Sequence, residues 1–419
     1  MAQWQTTCLG DACQFINGLW KGDVPPLVRV GVIRNTNFAK DGSLDDSDIA
    51  YLDVEAKKYA KRRLQFGDLI LEKSGGGPKQ PVGRVILFDK TEGDYSFSNF
   101  TAAIRINDPL TLDHSYLHRY LHWLYLSGVT EGMQSHSTGI RNLNGDAYKA
   151  INVSYPPLLE QRRIVAILDE AFDAIATAKA NTEKNLLNAV EVFNQQHDMV
   201  FADHAGSPKR FRLGELATFR NGVNFTKQSN GQAVQIIGVK DFQKHFWAPL
   251  GDLDTVTLDG DLSPIDAVSE GDILTVRSNG NPELIGRCMV VGSLTEPTTH
   301  SGFTIRISLD RTKAAPTYVC QFLRSRAVRR KLIDGGNGLN IKSLNQGMLA
   351  EIAVPLPPLD AQHKIVAKIE ALATVTHELA DIATCKVAAL DELKKSLLHQ
   401  AFTGKLTAKT TDKQVEAVA

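Results

Sequence analysis

Apolar residues recur at alternating steps of three and four in two places along the chain. The first series is Ile164, Leu168, Ala171, Ile175 and Ala178; the second is Ile365, Ile369, Leu372, Leu379, Leu390, Leu393 and Leu397. This spacing puts one apolar stripe on a helix, and it is also the seam spacing of a coiled coil. Residues 157–200 and 358–401 carry no internal proline or glycine and are rich in Ala, Leu, Glu, Lys and Gln. Each therefore predicts a single helix of about 40 residues, a rod of roughly 60 Å. Each opens on a Pro-Pro pair, with Glu160 or Asp360 close to the positive helix end. A rod that long outreaches one domain of ordinary size, which favours the two helices pairing antiparallel over each packing only on its own domain.

Between the helices the pattern changes to short runs of Val, Ile, Thr and Phe broken by glycine-bearing turns, the signature of many short strands with a few helices. These stretches repeat each other. Leu9, Gly10, Phe15, Asn17 and Gly18 recur as Leu213, Gly214, Phe219, Asn221 and Gly222. GDLILEKSGGGP from Gly67 recurs as GDILTVRSNGNP from Gly271, and Gly83-Arg84 as Gly286-Arg287. Ile104-Arg105-Ile106 returns as Ile305-Arg306-Ile307, Leu143-Asn144 as Leu344-Asn345, and PPLLEQRRIVAILDE as PPLDAQHKIVAKIEA. The matches keep their order over nearly the whole chain, so the halves are a duplication. The expected fold is α+β: two repeated α/β domains separated by two long antiparallel helices and related by a pseudo-twofold axis. The expected boundaries are 1–155 and 204–355 for the domains, 156–203 and 356–408 for the helices, and 409–419 for a disordered tail.

Composition narrows the function. Hydrophobic residues are 43% and charged residues 22%, and no run approaches the roughly 18 apolar residues a membrane span needs. The start, MAQWQTTCLGDACQF, lacks a cationic or apolar leader, so a cytoplasmic protein is expected. Five cysteines without a CxxC pair argue against a disulfide framework and a zinc ribbon. Lys plus Arg and Asp plus Glu stand at 47 each, so any nucleic-acid surface must come from local patches. The sequence has no phosphate-binding loop, no Rossmann spacing and no [DN]PP[YF] motif. Asp53, Glu55 and Lys57 have no counterpart in the second copy and predict a solvated face. His114, His118 and His122 could offer imidazoles to a metal at helical spacing, but Pro316, Cys320 and Arg324 stand opposite them, which favours a polar helix face touching DNA. The run Arg324, Arg326, Arg329, Arg330 and Lys331 suits either phosphate contact or a solvated face.

The twice-occurring GD[IL][IL]xxxSxGxP signature, the PPLxEQxxIV-like helix opening at Pro156 and Pro357, and the terminal LLHQAFTGKL from Leu397 resemble the specificity subunit of type I restriction-modification systems. The resemblance runs over about residues 5–408; the acidic residue of the second helix opening has shifted, with Asp360-Ala361-Gln362 where the first has Leu159-Glu160-Gln161. It implies a non-catalytic chain whose two domains each read half of a split double-stranded DNA target, with the helices as a ruler. It further implies two modification subunits, which carry S-adenosylmethionine and methylate adenine, and ATP-driven restriction subunits; this chain itself would hold no cofactor and no metal.

Reading bases takes donors and acceptors flanked by cations. In the first domain the expected contacts are Arg34, Asn35 and Asn37, then Lys73, Ser74 and Lys79, then Arg141, Asn142 and Asn144. In the second they are Lys240, Arg277, Ser278, Asn279 and Asn281, with Asn340, Lys342 and Asn345. Arg84 and Arg287, each beside a glycine, suit a phosphate clamp or a structural ion pair equally.

Overall fold

The computed structural model describes residues 4–20, 22–77, 80–137, 140–202, 208–226, 228–242, 245–334 and 343–408. The chain forms two compact units, one of residues 1–182 with 385–419, the other of residues 183–384. The division falls inside both long helices, Leu158–Phe201 and Leu359–Phe402, each of 44 residues.

In the first unit a four-stranded antiparallel sheet runs in the order Cys13–Asn17, Thr101–Ile106, Leu69–Glu72, Val85–Leu87. In the second the order is Ala217–Asn221, Thr304–Leu309, Ile273–Val276, Cys288–Val290. The duplicated sequence thus folds twice into one topology. The interior strands of the glycine-rich motif, Leu69–Glu72 and Ile273–Val276, are buried along their whole length, and apolar residues fill all but one position of each. Each unit adds a three-stranded sheet with one parallel pair: Leu27–Ile33 beside Tyr95–Phe97, and Ala233–Ile237 beside Thr298–His300.

The repeated motifs have structural reasons. Gly67 and Gly271 adopt φ +88° and +84°, a turn that suits glycine. The Asp that follows is buried, accepts a backbone N–H (Gln65 to Asp68, Ser269 to Asp272), and faces the Arg of the Ile-Arg-Ile motif. Arg105 meets Asp68 at 2.7 Å and Arg306 meets Asp272 at 3.7 Å.

At the helix openings Gln161 and Gln362 are fully buried and do identical work. The Gln161 carboxamide accepts from Asp113 N and donates to Thr111 O and Pro156 O, each at 2.8 Å. Gln362 accepts from Ala315 N at 2.8 Å and donates to Lys313 O and Pro357 O. Each glutamine rivets the start of a long helix to the helix of its domain, His114–Leu126 or Pro316–Arg324.

The far end of each helix is also anchored. In the first unit Phe402 packs among Tyr116, Tyr120 and Trp123, with ring centroids 5.2–5.4 Å away. In the second Phe201 packs against Tyr318 and Phe322 at 5.6 and 5.5 Å. The stripe residues Ile164, Leu168 and Ile175 are buried in a core that also holds Leu398, Ala401 and Phe402, while Leu379 and Leu393 stay exposed. Lys179 pairs with Asp391, and the Lys394 ammonium lies 4.7 Å from the Phe172 ring centroid. All five cysteines are free thiols, and Cys13, Cys288 and Cys320 are buried. No helix among the described residues is long and apolar enough to cross a membrane.

Candidate nucleic-acid interface

The glycine-rich loop of the first unit continues its buried strand into a short edge strand, Ser74–Gly76, which pairs with Ile140–Leu143 in the register Asn142 to Ser74 and Arg141 to Gly76. Four expected contacts are thereby gathered. Lys73 donates to Asn17 Oδ1 at 2.7 Å, and the Ser74 hydroxyl donates to Asn142 Oδ1; half-burial lowers the Lys73 ammonium below its ordinary value. Gly75 has φ +100°, and a Cβ there would come within 3.0 Å of Asn35 Nδ2, so glycine lets Asn35 join the group. Asn35 donates to Ser74 O at 2.7 Å and to Glu72 Oε1 at 3.0 Å, while its side-chain oxygen Oδ1 is buried with no partner among the described residues. Arg34 reaches Asp48 at 3.3 Å. Arg34, Asn35 and Gly75 open onto a cavity of 420 Å³ whose other walls include Leu52, Val54 and Phe100.

Several expected contacts are internal instead. Asn37 is 1% exposed, accepts from Arg34 N and donates to Asp45 O and Asp48 O; it holds its own loop together and offers nothing outward. Arg84 resolves as the ion-pair partner. It grips the buried Glu72 carboxylate through Nε and Nη2 at 2.7 and 2.9 Å and donates to Phe38 O. Asn144 is exposed but caps the helix Gly145–Lys149 through its oxygen. Asp53 pairs with Arg29 at the surface, and the half-buried Glu55 pairs with Lys58.

The histidine series is not a DNA-facing stripe. His118 and His122 are buried, His118 Nε2 lies 2.9 Å from Gly42 O, and burial pushes their values down to about 3 and about 4. Among the described residues no group of three or more His, Cys, Asp or Glu is placed to hold a metal.

In the second unit Arg277 and Ser278 occupy the places of Lys73 and Ser74, and Ser278 bridges to Ser343. The Arg277 guanidinium has no hydrogen bond or ion pair among the described residues. Asn279 Oδ1 accepts from Asn281 N, and Asn281 caps the turn Pro282–Leu284. Arg287 donates to Glu283 O at 3.1 Å, and Val276 stands where the first copy has Glu72. Lys240 is exposed and paired with Asp254 at 2.7 Å, and Asn345 caps the helix Gln346–Ala350. Lys79, Asn340 and Lys342 lie outside the described residues. Much of the arginine run is engaged within the unit. Arg326 binds Asp198 and Glu191 of the long helix, Arg324 donates to Cys288 O and Arg329 to Glu283 O, leaving Arg330 and Lys331 at the surface.

The sequence reading missed one pair of residues. Phe100 and Phe303 are 46% and 60% exposed and occupy the same turn in the two copies. Their carbonyls accept from the backbone of Lys73 and Ser74 in one, of Arg277 and Ser278 in the other. The signal was the repeat of SNFT as SGFT just before the Ile-Arg-Ile match.

Two copies of one fold, each with a cation, a hydroxyl and amides around a glycine-bearing loop, give the chain two alike candidate surfaces. The chain belongs to the family of the type I restriction modification DNA specificity domain, whose model matches residues 1–189 and 209–382. That family is a recognition domain, and its named members here are specificity subunits, which are not catalytic. The chain is 24% identical over 408 residues to the type I restriction enzyme StySPI specificity subunit of Salmonella potsdam, covering 92% of this chain and 83% of that one. It is 24% identical over 424 residues to the EcoKI specificity subunit of Escherichia coli K12, covering 94% and 85%. The fold matches that of the HsdS subunit from Thermoanaerobacter tengcongensis with TM-score 0.62 at 16% identity, covering 96% and 97%. A chain from a structure of type I restriction-modification complex assembly and conformational transition gives 0.72 at 17% identity, covering 96% and 98%.

Proposed function

We propose that this chain reads a split DNA sequence for a type I restriction-modification complex: each unit's recognition domain reads one half-site, and the two long helices, paired antiparallel about a pseudo-twofold axis, set the gap between them. The observation that carries this reading is the single glycine-bearing loop built twice, with Lys73-Ser74 in one copy and Arg277-Ser278 in the other. Lys or Arg beside hydroxyl and amide groups is the equipment for phosphate and base-edge contact. Antiparallel pairing is supported by Lys179 meeting Asp391 and by Phe402 seating on the domain helix of the first unit.

Methyl transfer from S-adenosylmethionine and ATP-driven restriction belong, on this reading, to partner subunits, two modification subunits docking on the helices and domains. The test is to map methylated adenines in cells expressing this chain with a type I modification subunit, then to exchange residues 205–355 for those of a relative. A split asymmetric motif is expected, with one half altered by the exchange. Methylation without sequence preference, or alteration of both halves, overturns the proposal.

A further inference from the structure

The two exposed phenylalanines are not held by the cores of their units, and Phe100 borders the open cavity beside Arg34 and Asn35. Neither Phe100 nor Phe303 belongs to a described core cluster, and neither ring contacts another aromatic ring among the described residues. A single exposed apolar ring is ordinary, but here the same ring is held out at the same place in both copies of a diverged duplication.

The turn that holds it is rigid, and rigid in the same way twice. Thr101 N and Oγ1 both donate to Ser98 O, at 2.9 and 2.8 Å; Thr304 N and Oγ1 both donate to Ser301 O, at 2.8 and 2.7 Å. The Phe100 carbonyl accepts from Lys73 N and Ser74 N at 3.0 and 3.2 Å, the Phe303 carbonyl from Arg277 N and Ser278 N at 2.8 and 3.3 Å. Gly18 and Gly222, matched in the repeat, let a neighbouring strand end cross directly against this turn. A Cβ on Gly18 would lie 1.8 Å from Ser98 O, and one on Gly222 2.2 Å from Ser301 O. The backbone of each phenylalanine is therefore fixed against that of a cationic residue and a serine, and holding an apolar group in water on an ordered turn brings no folding benefit.

We infer that Phe100 and Phe303 are specificity-determining residues, each placing its ring in apolar contact with the bases of its own half-site, next to the cation-hydroxyl pair of the same loop. The inference rests on the DNA-reading function proposed above. Apolar side chains act at base edges by touching a thymine methyl and between base steps by wedging; both uses are independent of phosphate charge, so the variants should leave salt dependence alone.

The test uses the full chain assembled with its modification subunit, the duplex carrying the methylated motif, and the variants Phe100→Ala, Phe303→Ala and Phe100→Leu. The expected result is a loss of affinity of about tenfold or more for each alanine variant. Discrimination should relax in one half-site for Phe100→Ala and in the other for Phe303→Ala. The slope of log affinity against log salt and the thermal midpoint should not change, and Phe100→Leu should restore part of the loss. Wild-type affinity and discrimination in both alanine variants overturns the inference, and so does a lowered thermal midpoint accounting for the whole loss. If the wild-type complex shows no sequence preference, the proposed function itself has failed, an outcome distinct from either.

Discussion

His118 and His122 show how far spacing and surroundings can part. They stack at 6.1 Å, flanked by Arg119 and Lys394, with Asp41 across from them. Burial is the main cause of their lowered values, and the neighbouring cations add to it. The folded values lie below the ordinary 6.5, so as pH falls the unfolded chain takes up protons first. Stability from this pair is complete above pH 6.5 and is lost as pH drops from there, toward about 4 for His122 and about 3 for His118. At pH 5 the loss should be roughly 2 kcal/mol for each histidine. Urea unfolding of the first unit between pH 7.5 and 5 checks this: the wild type should weaken steeply, and His118→Gln should show a shallower slope. A slope unaffected by the substitution would assign the acid sensitivity elsewhere. Composition alone could not distinguish this buried pair from a polar face, because helix His114–Leu126 also buries Tyr116, Leu117, Tyr120, Leu121 and Leu124 and is covered on most sides. For the same reason Asn37 was legible as a polar loop residue but not as one that points inward: its partners Asp45 and Asp48 sit in a turn whose path periodicity does not reveal.

Among the elements, the long helices were the most legible, since helix-forming composition over 44 residues leaves few alternatives, and both begin within two residues of the Pro-Pro pair. The duplicated strands were legible as short runs of Val, Ile, Thr and Phe between turns, but not their burial. What the apolar stripe touches was not. Ile164, Leu168 and Ile175 face a core shared by the domain helix and the end of the other long helix, while Leu379 and Leu393 are exposed. A three-four spacing records which side of a helix is apolar and says nothing about the neighbour. The terminal LLHQAFTGKL is the sharpest case, because its residues close the core of a unit whose first strand lies nearly 400 positions earlier. Phe402 is 5% exposed against three aromatic rings, so Phe402→Ala should remove about 3–5 kcal/mol from the first unit. Residues near Tyr116 should become protease-sensitive while the second unit keeps its resistance. Loss of protection spread evenly over both units would contradict the division inside the helices.

At the scale of the molecule, the duplication was visible in the sequence, and the matched sheet orders of the two units give it a physical form. The proposed ruler can be tested without touching a reading loop. Let four helix-forming residues be inserted after Lys179 in the first long helix and four after Lys386 in the second, so that facing turns can stay paired. Both points lie close to where the chain divides into its two units, between residues 182 and 183 and between 384 and 385. Gln161, Gln362, Phe201 and Phe402, which fasten the helix ends, are untouched. A helix rises 1.5 Å per residue, so the rod grows by about 6 Å, close to two base pairs at roughly 3.4 Å each. Those two base pairs also turn the groove by about 70°, given 10 to 10.5 base pairs per turn. The domains or the duplex must twist to follow, so affinity should fall even as the gap widens. The bases read at each end should stay the same. A methylation map of the insertion variant in cells decides the matter: a gap of unchanged length with activity retained means that these helices do not set the distance.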